Sequence, residues 1–356
     1  MKVLFTSADP GSGQQNDSLA FFLKRSGIHD VSFICSKPCL LYYKESYRNR
    51  SVLEVGDDDL DKKINNLIDN FEPDFIFVGL SNSKSDIDYL TTKIAIKRKI
   101  RTACVQDYYG FIGAYNKMIK PDYFFVIDDY AKELTISCKI LRAEKIIAIG
   151  SPKHFNYFNK IDEWVDKLKD VRLPNRELIF FLQPLSIYEI KYSFIKLCEI
   201  IQKINPGYKL NVKPHPKDED SRELKTLTEN YPINIIESNI PTEVLLLYFQ
   251  NIINCYSTIA YDYFFIKQHV ASLSNSKLFN LFLSKNIFKL MNSCNLDIKK
   301  TPQYKIGINI IHQKNLIENL NEIFKLDFYN SPKLAKKNHS DFSNSIKEIM
   351  KVLEGV

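Results

Sequence analysis

The chain has 356 residues, 45% of them apolar, and a formal net charge of +7. That length exceeds one ordinary domain and suits two, and the apolar share supports a sizeable core, so a disordered chain is excluded. The 49 basic residues are dispersed, densest at Lys97-Arg98-Lys99-Ile100-Arg101 and near Lys333, Lys336 and Lys337. That argues against a nucleic-acid binder and leaves anionic substrates, an anionic membrane surface or a merely solvated lysine-rich exterior.

No apolar run reaches the about 18 residues of a membrane helix. Met1-Lys2-Val3-Leu4-Phe5-Thr6-Ser7 reads as a short strand running into a Gly loop rather than as a signal peptide, and predicts a cytoplasmic protein. The seven Cys include no CxxC pair and sit mostly in apolar runs, as small core residues do.

Strands and helices are expected to alternate. Lys2 to Ser7 is strand-like, and Ser18 to Arg25 reads as a helix ending at Gly27. Val31 to Cys35 is the next strand. Leu60, Ile64, Leu67, Ile68 and Phe71 fall at helical spacing behind Asp57-Asp58-Asp59, which is expected to cap that helix rather than form a DxD metal motif. Phe75 to Leu80 is apolar throughout, as in a strand covered on both faces. A helix over Asp86 to Lys97 follows, then strands over Ile100 to Val105, Tyr123 to Ile127 and Lys145 to Ile149.

Gly150-Ser151-Pro152 breaks the pattern, and a helix bearing Trp164, Val165 and Leu168 precedes Pro174-Asn175. A second series then runs through strand Leu178 to Leu182, helix Tyr188 to Lys203, strand Tyr208 to Val212, helix Ser221 to Asn230 and strand Ile233 to Ile236. Pro241 opens a helix as its first residue. Strand Asn251 to Cys255, a helix to Ile266 and a strand over Val270 to Leu273 follow. Ser340 to Leu353 reads as one amphipathic helix. Alternation of this kind implies α/β domains with parallel sheets and right-handed crossovers. The predicted domains are residues 1–150, a linker at 151–176, residues 177–335 and a C-terminal helix at 336–356 that can cross back.

The motifs lie at the carboxyl ends of strands, where open α/β sheets bind ligands. In Lys213-Pro214-His215-Pro216 the prolines hold the loop extended and present His215 rigidly. An imidazole beside a lysine can donate to a phosphate or protonate a departing one. Tyr256-Ser257-Thr258 opens an apolar helix, so hydroxyls and backbone N–H groups converge there; plain capping would need only one hydroxyl. Gln183-Pro184 and Gly150-Ser151-Pro152 are candidates to touch a nucleotide. Glu237-Ser238 could accept from a ribose or base, or cap the helix behind it.

On the N-terminal side, Asp107 follows a buried-type strand in Gln106-Asp107-Tyr108-Tyr109-Gly110. A carboxylate there suits the base that deprotonates an acceptor hydroxyl, with Tyr108 and Tyr109 stacking on a sugar or base; a turn Asp before Gly110 is the other reading. Asp9 in Ser7-Ala8-Asp9-Pro10-Gly11-Ser12-Gly13 is a rival base, on a loop whose Gly11, Ser12 and Gly13 let a substrate approach the backbone. GxGxxG spacing is missing, which argues against a dinucleotide. His29, His154, His269, His312 and His339 form no ligand pattern, HExxH does not occur, and no metal site is expected. No GxSxG or Cys-His signature points to a covalent nucleophile.

The two tandem βαβ series resemble the GT-B glycosyltransferase architecture, two Rossmann-like domains facing a central cleft. His215-Pro216 and Ser257-Thr258 together resemble the pair that holds the CMP phosphate in bacterial sialyltransferases and capsule Kdo transferases. Tyr261-Asp262-Tyr263-Phe264 is similar to the teichoic-acid polymerase pattern of CDP-glycerol glycerophosphotransferases. Those polymerases carry a His-Gly pair where Asp107 to Gly110 stands here without a His.

The resemblance implies an inverting, metal-independent transferase that moves a nonulosonic acid or Kdo from a CMP-activated donor to a glycan or protein acceptor. It implies an acidic base in the N-terminal domain, Asp107 or Asp9, and His215 as the group that meets the leaving phosphate. Lys213, Pro216, Gln183, Glu237, Ser238, Ser257 and Thr258 would line the donor site. Asp9, Gly11, Ser12, Gly13, Tyr108 and Tyr109 would line the acceptor side. No cofactor is expected beyond the donor itself. The partners would be donor and acceptor, with peripheral contact to an anionic inner membrane allowed. Alternatives are a CDP-glycerol or CDP-ribitol phosphotransferase, a UDP-sugar enzyme, and a non-catalytic module that binds a glycan or nucleotide.

Overall fold

Two separate parallel sheets organise the chain in the computed structural model. It describes residues 1–28, 30–37, 39, 50–54, 58–80, 83–110, 112–155, 157–168, 177–216, 218, 220–237, 239–269, 276–293, 296–324 and 343–355. His29, Asp57, Pro174, Asn175, Ser238, Cys294, Lys333, Lys336, Lys337, His339 and the strand expected at Val270 to Leu273 lie outside the described residues.

The first unit comprises Met1–Phe158, Cys294–Leu296 and Ser340–Val356. Its strands are β1 (Lys2–Ser7), β2 (Asp30–Ser36), β3 (Arg50–Leu53), β4 (Phe75–Val78), β5 (Arg101–Val105), β6 (Tyr123–Val126) and β7 (Ile146–Ala148). They form a seven-stranded parallel sheet in the order β3-β2-β1-β4-β5-β6-β7. The order reverses between β1 and β4, the switch point of a doubly wound sheet. Helices α1 (Pro10–Arg25), α2 (Leu60–Phe71), α3 (Ile87–Arg98), α4 (Asp129–Ser137) and α5 (Pro152–Phe155) follow strands of the series. Phe5 stands in register with Phe33 and Phe77 and stacks on both rings at centroid distances of 5.3 and 5.2 Å. All three are fully buried. Each contributes about 1.5–3 kcal/mol of apolar burial, which fixes the strand register near the site.

Helix α1 starts at Pro10, eight residues before the helix expected from Ser18. Asp9 is extended at the N-cap, and proline at the first helical position is pre-set for helix, so the expected Gly loop is α1's first turn. Its end is as expected. Gly27 has φ +94°, Gly27 N–H donates to Lys24 O and Ile28 N–H to Leu23 O, the Schellman pattern. Asp59 takes the N-cap position of α2 but makes no side-chain capping bond there. The last helix, α14 (Ser343–Glu354), returns to this unit. Ile349, Val352 and Leu353 join its core, and the Arg101 guanidinium donates to Val352 O and Leu353 O at 3.2 and 2.8 Å. A cation on the last carbonyls complements the helix dipole.

The second unit comprises Asn159–Ser293 and Asp297–His339. Its strands β8 (Leu178–Phe181), β9 (Leu210–Lys213), β10 (Ile233–Ile235), β11 (Asn251–Asn254), β12 (Lys277–Leu281) and β13 (Ile308–Ile310) pair in parallel in the order β10-β9-β8-β11-β12-β13. The switch point lies between β8 and β11. The stretch read as a linker holds α5 and α6 (Tyr157–Lys167), and the boundary between units falls at Phe158. The unit's helices are α7 (Tyr188–Ile204), α8 (Arg222–Asn230), α9 (Thr242–Tyr248), α10 (Ile259–His269), α11 (Asn286–Ser293), α12 (Pro302–Ile306) and α13 (Gln313–Ile323). Pro241 is the N-cap of α9 rather than its first helical residue.

Candidate functional site

In the first unit the switch point is tied by one carboxylate. Asp88, in the first turn of α3, is fully buried. It accepts from Thr6 Oγ1 at 2.6 Å and Gly79 N at 3.1 Å through Oδ1, and from Ala8 N at 3.2 Å through Oδ2. The ends of β1 and β4 are thereby fixed and the backbone before Asp9 is held. Glycine at position 79 is required by packing: a Cβ there would lie 2.6 Å from Ser12 Cβ and 2.8 Å from Asp88 Oδ2.

Burial pushes the Asp88 carboxyl up to about 7 against the three donors that hold it down, with the Asp9 charge adding to the rise. The folded state therefore keeps a proton that the unfolded chain has lost above about pH 4. Stability from this group is present below that pH and lost as pH rises through about 7. Thermal midpoints should fall between pH 5 and pH 8, with a slope of up to about 1.4 kcal/mol per pH unit, and Asp88→Asn should flatten that fall. An unchanged slope in a folded Asp88→Asn protein would place the titrating group elsewhere.

Asp107 follows β5, half-buried, and lies against the first turn of α1: a Cβ on Gly11 would collide with Asp107 Oδ2. Burial raises the Asp107 carboxyl to about 6, the Asp9 charge raises it further, and its own backbone N–H and the Lys153 ammonium pull it back. Lys153, from α5, is 8% exposed. Gln15 of α1 fixes that segment: its Nε2 donates to Ser151 Oγ at 2.8 Å, and its Oε1 accepts from Lys153 N at 3.0 Å. Ser151 is thus occupied by Gln15.

Two expected acceptor-side residues are interior instead. Tyr109 is fully buried, its hydroxyl donating to Asp128 Oδ2 at 2.6 Å, while Asp128 caps α4 by accepting from Ala131 N. Ser12 is 1% exposed and donates to Asp9 O at 2.8 Å. Packing leaves neither side chain a face for a sugar. Tyr108 is half-buried, edge-on to Tyr109 with ring centroids 5.7 Å apart. Gly13 lies inside α1, its N–H donating to Asp9 O.

In the second unit three loops are stapled together at the carboxyl ends of β8, β9 and β11. Gln183 Oε1 accepts from Tyr256 N at 2.9 Å, joining the β8 and β11 loops. Asp218, 9% exposed, accepts from Leu185 N at 3.0 Å and donates its own N–H to His215 O at 2.8 Å, joining the β8 and β9 loops. Pro214 is buried, and His215 and Pro216 are half-buried. Lys213 Nζ gives one of its three protons to Glu237 O at 2.6 Å, tying β9 to the end of β10. The Glu237 side chain is exposed.

The Tyr256-Ser257-Thr258 turn is more differentiated than its sequence. Ser257 N donates to Asn254 Oδ1 at 3.1 Å, and Ser257 Oγ accepts from Ile259 N at 3.3 Å. Ser257 therefore serves the turn itself. Thr258 accepts from Tyr261 N through its carbonyl at 2.9 Å. Its N–H and hydroxyl have no partner among the described residues, and the residue is half-exposed at the start of an 11-residue helix. Those two donors are what a phosphate oxygen needs.

Sequence reasoning passed over Asp88, Lys153 and Asn254. Asp88 reads as an ordinary first-turn acid. Asn254 has a signal: it is one of two amides that bracket the apolar pair Ile252-Ile253 in a short strand. Among the described residues no three His, Cys, Asp or Glu are grouped to hold a metal ion, and no helix is long and apolar enough to cross a membrane.

Neither a family model nor a curated protein sequence matches the chain. Solved structures do. UDP-GlcNAc 2-epimerase of Methanocaldococcus jannaschii, in complex with UDP-GlcNAc and UDP, is similar with a TM-score of 0.66 and 13% identity, both chains covered in full. The same enzyme of Neisseria meningitidis, bound to UDP-GlcNAc, is similar with a TM-score of 0.60 and 13% identity, again over both full chains. A variant of the wall teichoic acid polymerase TagF matches 91% of this chain and 80% of its own, with a TM-score of 0.55 and 13% identity. At such identities the likeness concerns fold. The chain is an α/β protein of the GT-B fold, built from two Rossmann-like units.

Proposed function

We propose that the protein is a nucleotide-sugar enzyme of the GT-B class. More finely, it is read as a metal-independent, inverting transferase that moves a nonulosonic acid of the sialic, pseudaminic or legionaminic kind, or Kdo, from a CMP-activated donor to a glycan or protein acceptor. The observation that carries this is Thr258, whose N–H and hydroxyl have no partner among the described residues at a helix start, one strand removed from the His215 loop. The acceptor oxygen attacks the anomeric carbon as its proton passes to Asp107. The bond from that carbon to the phosphate oxygen breaks, and CMP departs with His215 donating to its phosphate. Thr258 binds that phosphate, and Lys213 adds positive charge beside it. Tyr108, Gly11 and Asp9 lie on the acceptor side, and Glu237 is available to ribose hydroxyls. The setting is cytoplasmic, with peripheral contact to an anionic membrane.

A second reading, a UDP-sugar enzyme or a CDP-glycerol or CDP-ribitol phosphotransferase, is favoured by the ligands of the similar structures, UDP-GlcNAc in the epimerases and CDPG soaked into TagF. A non-catalytic binding module is the reading from another class.

Titration calorimetry separates the first two readings, and turnover of a donor excludes the third. The wild-type protein should bind CMP at least as tightly as CDP or UDP. Thr258→Ala should raise the CMP Kd about tenfold or more, since a hydrogen bond to a charged group contributes roughly 1.5–3 kcal/mol. Ser257→Ala should act mainly on stability, by about 0.5–2 kcal/mol for a lost cap. Unchanged CMP affinity in Thr258→Ala would sink the phosphate assignment. A tenfold preference for UDP or CDP would move the protein to the second reading.

A further inference from the structure

Asn254, Asn280 and Asn309 stand in register across β11, β12 and β13. Asn254 and Asn280 are fully buried. Their amides form a single head-to-tail chain. Ser257 N donates to Asn254 Oδ1 at 3.1 Å, Asn254 Nδ2 to Asn280 Oδ1 at 3.2 Å, Asn280 Nδ2 to Asn309 Oδ1 at 3.0 Å, and Asn309 Nδ2 to Tyr304 O at 2.7 Å. Both ends are backbone groups whose polarity cannot reverse. An N–H begins the chain and a C=O ends it, so every amide between them has one permitted orientation. Turning any one over would set donor against donor and acceptor against acceptor.

The sheet does not need amides in order to form. The row two residues earlier pairs Ile179, Ile252 and Leu278. Buried amides are tolerated only when satisfied, so their presence demands another reason. Gly307 preserves the space they occupy, since a Cβ there would collide with Asn280 Nδ2.

We propose that this amide chain positions the phosphate-binding turn, with Asn280 as its central link. The inference rests on the reading that Thr258 holds the leaving phosphate. By locking Asn254, the chain engages the Ser257 N–H and leaves the next amide, that of Thr258, with its hydroxyl for the ligand. Asn280 is a positioning residue: it acts through Asn254.

The test compares Asn280→Leu with Asn280→Asp by CMP titration at pH 6, well below either thermal midpoint. Leucine keeps the branched skeleton, though it is bulkier, and breaks the chain, freeing Asn254 to turn over. A buried aspartic acid stays protonated, accepting from Asn254 and donating to Asn309 as the amide did. Both variants should lose thermal stability. Only Asn280→Leu should raise the CMP Kd, by about tenfold, with Asn280→Asp within about threefold of wild type. Wild-type CMP affinity in a folded Asn280→Leu protein overturns the proposal, as does equal weakening in both variants.

Should Asn280→Leu fail to fold, amide hydrogen exchange on the wild-type protein decides. The Ser257 amide should be protected without ligand, and the Thr258 amide should exchange fast and slow down with CMP. An exposed Ser257 amide, or a Thr258 amide indifferent to CMP, refutes it. A wild-type protein that binds none of CMP, CDP and UDP overturns the nucleotide reading itself, and the inference with it.

Discussion

Asp107→Asn should reduce kcat by about 10²–10⁴, the range for a lost general base, and leave CMP affinity within about twofold of wild type. The amide keeps the shape that fits against Gly11 but cannot accept the acceptor's proton. Wild-type kcat/KM should rise with pH through about 6, because the base works ionised and burial holds its carboxyl near that value. The rise should vanish in Asp107→Asn. Asp9→Asn supplies the cross-check. Removing the Asp9 charge takes away one of the influences that raise Asp107, so the acidic limb should move to lower pH. If Asp107→Asn keeps its turnover and Asp9→Asn loses it, Asp9 is the base. If Asp107→Asn loses CMP binding, the assignment of donor and acceptor to the two units is reversed.

His215→Ala should lower kcat by a similar factor of about 10²–10⁴ while the protein stays folded. The imidazole stands on a short loop that has few ways to move. Pro214 is buried before it, Pro216 follows it, and the Asp218 N–H closes the turn onto His215 O. Asp218 is in turn bonded to the backbone of the neighbouring β8 loop. A group held this firmly loses little entropy when it meets a departing phosphate. The deficit should be largest for natural donors and shrink with a synthetic donor whose leaving group needs no proton. Near-normal kcat in a folded His215→Ala protein would remove the residue from the chemistry, and an equal deficit with both donors would limit it to binding.

Much of the architecture is legible along the chain. Apolar runs of four to seven residues alternate with stretches at helical spacing, and the ends carry their own signals, such as the Leu23-to-Ile28 closure around Gly27. These signals act over a few residues, so reading them needs no tertiary knowledge. The start of α1 lies ahead of the expected one for a related reason. Gly11 and Gly13 favour a loop when read singly, and only the pairing of Asp9 at the N-cap with Pro10 behind it makes them helical. Between residue 277 and the C-terminal helix the sequence signals no element, because strands such as Ile308–Ile310 are too short for periodicity to register.

By itself the sequence determined the alternating α/β class, the two series of strands, and the placing of the Lys213-to-Pro216 and Tyr256-to-Thr258 motifs on loops after strands. Tertiary structure alone decided which of those side chains are offered to a ligand. Tyr109 and Ser12 are drawn inside by packing, the Ser257 backbone N–H goes to Asn254 and its hydroxyl oxygen accepts from Ile259 N, and the Thr258 N–H and hydroxyl have no partner among the described residues. It also set Asp107 against Gly11, drew three donors around Asp88 and returned α14 to the first unit through Arg101. The physical reason is range. Propensity and capping act between near neighbours, whereas desolvation and hydrogen-bond competition join residues as far apart as Thr6 and Asp88, 82 positions along the chain, or Arg101 and Leu353, 252 positions apart.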